Sequence, residues 1–249
     1  MRYFLELSYN GKAYHGWQNQ PNAISVQEVI EKALSTILNT KISIMGAGRT
    51  DTGVHASQMF AHFDYDGDFK SIDIVYKLNS FLPKDVAITS VFEVKPEIHA
   101  RFYAESRTYN YKISTSKNVF NYDFAYQIQS PLDLKAMNEA CKILFQYKNF
   151  QCFSKTNTDV KTYNCDIKEA HWTKINEQLV FTITADRFLR NMVRAIVGTM
   201  VNIGLGKMKP EELHAIIASK NRSEAGFSVP AHGLYLVNIV YPKTIRIEN

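Results

Sequence analysis

The order in which the hydrophobic period changes along this protein does most to limit what it can fold into. Tyr3, Leu5, Leu7 and Tyr9 alternate with Phe4, Glu6 and Ser8, a period of two that predicts a strand. Ser25 with Glu28 three places on forms a capping box, after which Val26, Val29, Ile30, Ala33, Leu34, Ile37 and Leu38 recur at helical spacing. Strands are expected over 41–45, 58–64 and 86–94, the last two flanking a helix over 72–81 that must end before Pro83. The second half offers a strand over 108–114, a helix over 132–147, and strands over 165–175 and 179–184. Helices over 188–203 and 210–219 and a last strand over 234–241 complete it.

That order is βαββαβ, then the same order again with one helix added. Two such units make an α+β fold of the split ferredoxin-like kind, in which each antiparallel sheet carries helices on its outer face and leaves the other face for a ligand. The expected division is 1–103, holding the Gly-rich loop described below, and 104–249, with an active-site cleft between the halves. No long Pro/Ser run separates them, so the two sheets are expected to associate closely.

Composition narrows the function less. Apolar residues make up 45% of 249, enough for folded cores, and 29 Lys+Arg against 24 Asp+Glu leave +5, which suits a polyanionic partner without requiring one. Cys141, Cys152 and Cys165 are odd in number and lack C-x-x-C spacing, so neither a disulfide framework nor a zinc knuckle is expected. No signal-like or membrane-spanning apolar run occurs, so a cytoplasmic protein without membrane association is expected. Asp64, Asp66 and Asp68 alternate like the start of a calcium loop, but Phe69 replaces its glycine and Val75 its closing glutamate. His15, His55, His62 and His99 have no ligand spacing, so no metal site is expected.

The segment that carries chemistry is MGAGRTDTGVHA, 45–56, where an arginine and an acid lie among three glycines between two predicted strands. Such a loop can present one carboxylate on a tightly turned backbone. The same residues would also suit an Asx-turn at Asp51 and a surface ion pair at Arg49, and the segment alone does not separate the two.

This segment resembles the nucleophile signature of the tRNA pseudouridine synthase A family. Four further segments are similar to that family's motifs in the same order: YNGKAYHGWQNQ at 9–20, HARFYAESRTYNY at 99–111, FLRNMVRAIVG at 188–198 and PAHGLY at 230–235. Asn10 stands where the opening motif usually has Asp, a change expected to keep a turn-forming side chain, and Val229 stands where alanine is usual. The resemblance implies isomerisation of uridine to pseudouridine at positions 38, 39 and 40 of the tRNA anticodon stem-loop, by a homodimer, without metal or organic cofactor.

Residue by residue, the resemblance gives Asp51 as nucleophile, Arg194 as the cation beside it, Arg49 as the residue that holds the extruded nucleotide's place, and Tyr109 as the ring against the uracil. The physics agrees, because a carboxylate working in a partly desolvated pocket needs a cation to hold its charge. A guanidinium placed among Met192, Val193, Ile196 and Val197 in turn calls for a partner. Contacts to the RNA backbone are expected from Lys12, Arg101, Arg107, Lys112, Arg187 and Arg190.

Two other readings compete for the same residues. Asp51-Thr52-Gly53 spells the aspartic-protease triplet, but Arg49 before it and the well-capped helices do not suit that strand-rich, two-carboxylate site. A non-catalytic RNA-binding module would share the twin-sheet order, though the RNP aromatic pattern is missing.

Overall fold

The computed structural model describes residues 1–67, 69–156 and 160–247, so Asp68 of the alternating acids lies outside the described residues. Among these residues are nine strands and five α-helices, an α+β arrangement whose strands pair mostly antiparallel. The protein forms two compact units, Met1–Glu105 with Leu236–Asn249, and Ser106–Tyr235. No helix of the described residues is long and apolar enough to cross a membrane.

In the first unit β1 (Arg2–Tyr9) lies between β4 (Val86–Val94) and β3 (His55–Asp64), and the two-residue β2 (Met45–Gly46) pairs with Ala61 and His62 of β3. α1 (Val26–Ile37) starts where the capping box predicts, with the Glu28 N–H donating to Ser25 Oγ at 3.1 Å. Its face of Val26, Ile30, Ala33 and Leu34 is fully buried. α2 (Ser71–Phe81) ends ahead of Pro83, and the Asn79 side chain bonds both the N–H and C=O of Ile88 in β4, tying helix to sheet. Phe4, on the polar side of the β1 alternation, is buried as well, because the rings of Phe60, Phe92 and Tyr241 enclose it at 5.4–6.3 Å.

The strand expected over 41–45 is corrected to Met45–Gly46. Ile42 and Ile44 do alternate inward, but side chains of α1 satisfy their backbone in place of a ladder. Ser35 Oγ bonds the N–H and C=O of Ile42, Glu31 accepts from Ile44 N–H, and Gln27 donates to its carbonyl.

In the second unit β8 (Gln178–Ala185) lies between β5 (Ser106–Ser114) and β7 (Ile167–Ile175), with β6 (Tyr126–Gln127) parallel to the end of β5. α3 (Leu134–Leu144) is capped by Asp133, whose carboxylate accepts from Ala136 N–H, and α4 (Met192–Gly204) and α5 (Glu212–Ser219) follow β8. The helix expected from 188 begins only at Met192, because Asn191 is left-handed at φ 68° and its side chain donates to Ser228 Oγ at 2.7 Å. α4 is the unit's central helix, buried at eleven of its thirteen positions. β9 (Leu234–Val240) then leads into the first unit, where Ile239 N–H donates to Gln58 Oε1 in β3.

Candidate active site

Asp51 is half-buried on the loop that joins β2 to β3, and the opening segment 9–17 holds that loop from beneath. Trp17 N–H donates to Thr50 C=O at 3.2 Å, the Tyr9 hydroxyl and Thr50 Oγ1 lie 2.8 Å apart, and Gly53 N–H reaches Tyr14 C=O. Gly11 N–H donates to Nδ1 of the buried His55, where β3 begins. Trp17 itself is buried against Gly46, at which an added Cβ would stand 2.5 Å from the indole.

The loop turns immediately after the acid. Val54 N–H closes onto Asp51 C=O at 3.1 Å, with Gly53 at φ 79° supplying the positive-φ residue the turn requires. The backbone around Asp51 is thus held by hydrogen bonds at Thr50, Gly53 and Val54. Arg49, two residues upstream, is exposed and in no ion pair among the described residues.

The sequence singles out 9–20 as a motif without a role for its residues, and the structure supplies one: they position the Asp51 loop. Asn10 makes the turn its side chain allows, accepting from Lys12 N–H at 3.1 Å, so the usual Asp is replaced without losing the Asx-turn. Gly16 has the tightest requirement, with φ 87° and an imagined Cβ only 2.4 Å from Thr50 C=O. Replacing Gly16 by alanine is expected to cost about 2 kcal/mol or more from the strained φ and the backbone overlap together. Thermal melting checks this, and an unchanged melting temperature would mean that the loop moves aside freely.

The other expected site residues lie in the second unit. Tyr109, on β5, is half-buried, its ring standing edge-on to Phe188 at 5.2 Å and 89°. Tyr111 on the same strand serves the core instead, fully buried and with its hydroxyl donating to Pro230 C=O at 2.8 Å. Arg194 sits in the first turns of α4, half-buried, and its Nε donates to Val229 C=O at 2.7 Å while Val229 N–H returns a bond to Arg194 C=O. The guanidinium is thereby oriented by the residues ahead of PAHGLY, and Val229 is buried where alanine is usual.

The expected RNA contacts differ in exposure and in the bonds the fold gives them. Lys12, Arg101 and Arg190 are exposed, whereas Arg107 donates to Asp186 C=O at 2.7 Å and Lys112 lies over the Tyr235 ring at 3.9 Å. Burial pulls the Lys112 ammonium below the usual lysine range. Arg187 is half-buried, its N–H bonded to Asp186 Oδ1. All three cysteines are buried and their thiols pushed up to about 12 by that burial, which makes them poor nucleophiles. Among the described residues no group of three or more His, Cys, Asp or Glu could hold a metal ion.

Comparison with known proteins adds a family to this geometry. The profile of a family described as tRNA pseudouridine synthase matches residues 7–103 and 140–242. The tRNA pseudouridine synthase A of Parabacteroides distasonis is 51% identical over 247 residues, covering 98% of this chain and 97% of its own. That of Bacteroides fragilis is 53% identical over 246 residues, 98% of each protein, and that of Thermoanaerobacter sp. is 38% identical over 247 residues, 95% of this chain and 98% of its own. Similarity of this extent, reaching through the Asp51 loop and the Arg194 helix, places the chain in the tRNA pseudouridine synthase family.

Proposed function

We propose that this protein isomerises uridine to pseudouridine at positions 38, 39 and 40 of the tRNA anticodon stem-loop, with Asp51 as the nucleophile. The observation that carries this reading is the Asp51 loop: a single half-buried carboxylate on a backbone fixed at Thr50, Gly53 and Val54, in a member of the synthase family. The reaction breaks the N1–C1′ bond of the nucleoside, turns the freed uracil and joins C5 to C1′, releasing the hydrogen of C5 to solvent as a proton while N1 takes one up. Product and substrate are isomers, so atoms and electrons balance without a cofactor. The carboxylate's part is to bond transiently to uracil or ribose while the base turns.

The remaining roles follow the family resemblance. Arg194, oriented through Val229, is the cation that keeps the carboxylate ionised. Tyr109, propped by Phe188, offers its ring to the uracil, and exposed Arg49 takes the place the uridine leaves in the stem. The protein acts in the cytoplasm as a homodimer on this reading, and each unit is a variant of the ferredoxin-like order. In the first unit β4-β1-β3, with β2 on the far edge of β3, supports that assignment.

Release of tritium from tRNA carrying 5-tritiated uridine tests the activity, since forming the C5–C1′ bond must expel that hydrogen. Release mapped to positions 38 to 40 supports the proposal. Binding without release on undermodified tRNA would instead favour a non-catalytic RNA-binding module. If the six basic candidates track phosphates, affinity for the stem-loop falls by about a thousandfold between roughly 50 and 200 mM salt. A filter-binding titration reads this, and a flat salt profile would remove the phosphate contacts from the account.

A further inference from the structure

The segment 98–103 opens the motif 99–111, of which the proposed function uses only Arg101, Arg107 and Tyr109, and hydrogen bonds hold it at several points. Arg2, paired bidentately with Asp64 at 2.8 Å, also donates to Ile98 C=O. The fully buried Ala100 is gripped at both ends, its N–H donating to His62 Nδ1 at 3.2 Å and its C=O accepting from the Tyr241 hydroxyl at 2.5 Å. Phe102 and Tyr103 N–H groups both donate to His99 C=O, and Arg101 N–H donates to His99 Nδ1.

On this clamp stands Phe102, a residue 73% exposed. One exposed phenylalanine is ordinary on a protein surface. What sets this one apart is the support behind it: its ring lies 4.4 Å from the His99 imidazole, which in turn stands edge-on to His62 at 4.6 Å. Burial, and then the charge of Arg2, hold His62 down to about 4, and the same two causes, with Arg101, lower His99. The column of rings is therefore uncharged at neutral pH. At its outer end the Arg101 guanidinium lies 5.7 Å from the Phe102 centroid, and Tyr103 beside it is 39% exposed.

A rigid exposed π-face beside a guanidinium is the arrangement that receives single-stranded nucleic acid, the ring stacking on a base and the cation meeting the phosphate. We propose that Phe102 is a stacking platform for one unpaired nucleobase of the RNA substrate, backed by His99 and flanked by Arg101. This rests on the proposed tRNA substrate and adds to it a contact separate from the uridine that reacts.

The test places 2-aminopurine in turn at each loop position of an anticodon stem-loop RNA and follows its fluorescence on binding to wild type, Phe102→Ala and Phe102→Trp. Wild type should quench one position, Phe102→Ala should lose that quench and bind about tenfold more weakly, and Phe102→Trp should keep both. An abasic nucleotide at the quenched position should weaken wild type by the same factor and leave Phe102→Ala unaffected, a coupling that a merely structural role would not produce. If Phe102→Ala binds and quenches as wild type does, the platform is wrong while the tRNA reading stands. Should sedimentation show that Phe102→Ala abolishes self-association with RNA affinity unchanged, the ring serves a protein contact and the proposal is overturned. Failure of wild type to bind any stem-loop would overturn both readings.

Discussion

Asp51→Asn should lower tritium release by roughly four orders of magnitude or more, the loss typical when a nucleophile is removed from an enzyme that depends on it. Folding and tRNA affinity should stay within about twofold of wild type. The separation follows from the loop's construction. Asn has the same shape as Asp, and four bonds that close this turn and seat it on the opening segment use Thr50 C=O, the Thr50 hydroxyl, Gly53 N–H and the backbone carbonyl of Asp51. An amide at this position keeps these bonds and removes the charge and the nucleophilic oxygen. Single-turnover release under saturating tRNA measures the chemistry, filter binding the affinity and thermal melting the fold. A variant that retained even a hundredth of the wild-type rate would show that Asp51 assists the reaction without forming a bond in it.

The parts of the fold that the sequence discloses are those set by local periodicity. Val86–Val94 and the helix from Val26 to Ile37 are read from alternation and a capping box, and the structure places them with the expected bounds or within a residue of them. What periodicity misses are places where a side chain does the work of a strand or stops a helix. Ile42 and Ile44 alternate like strand residues, yet Ser35, Glu31 and Gln27 take up their backbone groups. Asn191 falls inside an apolar run of helical spacing, and only its left-handed backbone, anchored to Ser228, shows why the helix starts after it.

The same distinction holds for the candidate site. Asp51 and Arg49 stand out in the sequence because glycines crowd around them, a local signal. Gly16, Tyr9 and Trp17 lie in a motif but show no role there, since their use depends on the opening segment passing beneath Thr50, a contact more than thirty residues distant in sequence. Two glycines and several aromatic residues within 9–17 hint at close approach, but nothing local says to what. Likewise Arg194 is conspicuous as a charge in an apolar helix, while its acceptor, a backbone carbonyl at Val229, leaves no mark on the sequence.

That carbonyl leads to the second large effect, expected for Gly198→Ala. Glycine inside a helix usually costs about 1 kcal/mol relative to alanine, so on propensity alone the change would stabilise the protein. Here a Cβ would fall 1.8 Å from Phe227 C=O and 2.9 Å from its carbonyl carbon, an overlap with backbone that no side-chain rotation relieves. The strip 226–229 has little room to retreat. Gly226 N–H donates to Thr199 Oγ1 at 2.9 Å, a Cβ there would stand 2.5 Å from Thr199 N, and Val229 exchanges two bonds with Arg194 one turn before Gly198. Overpacking should therefore outweigh propensity and destabilise the protein by about 3 kcal/mol, lowering the melting temperature by roughly 6–12 °C. Because the displaced strip carries the acceptor that orients Arg194, kcat for tritium release from the still-folded variant should fall by about tenfold or more, measured well below its melting temperature. A melting temperature equal to or above wild type would show that the strip yields without cost. A lowered one with undiminished kcat would leave the packing argument intact and remove Arg194 from the reaction.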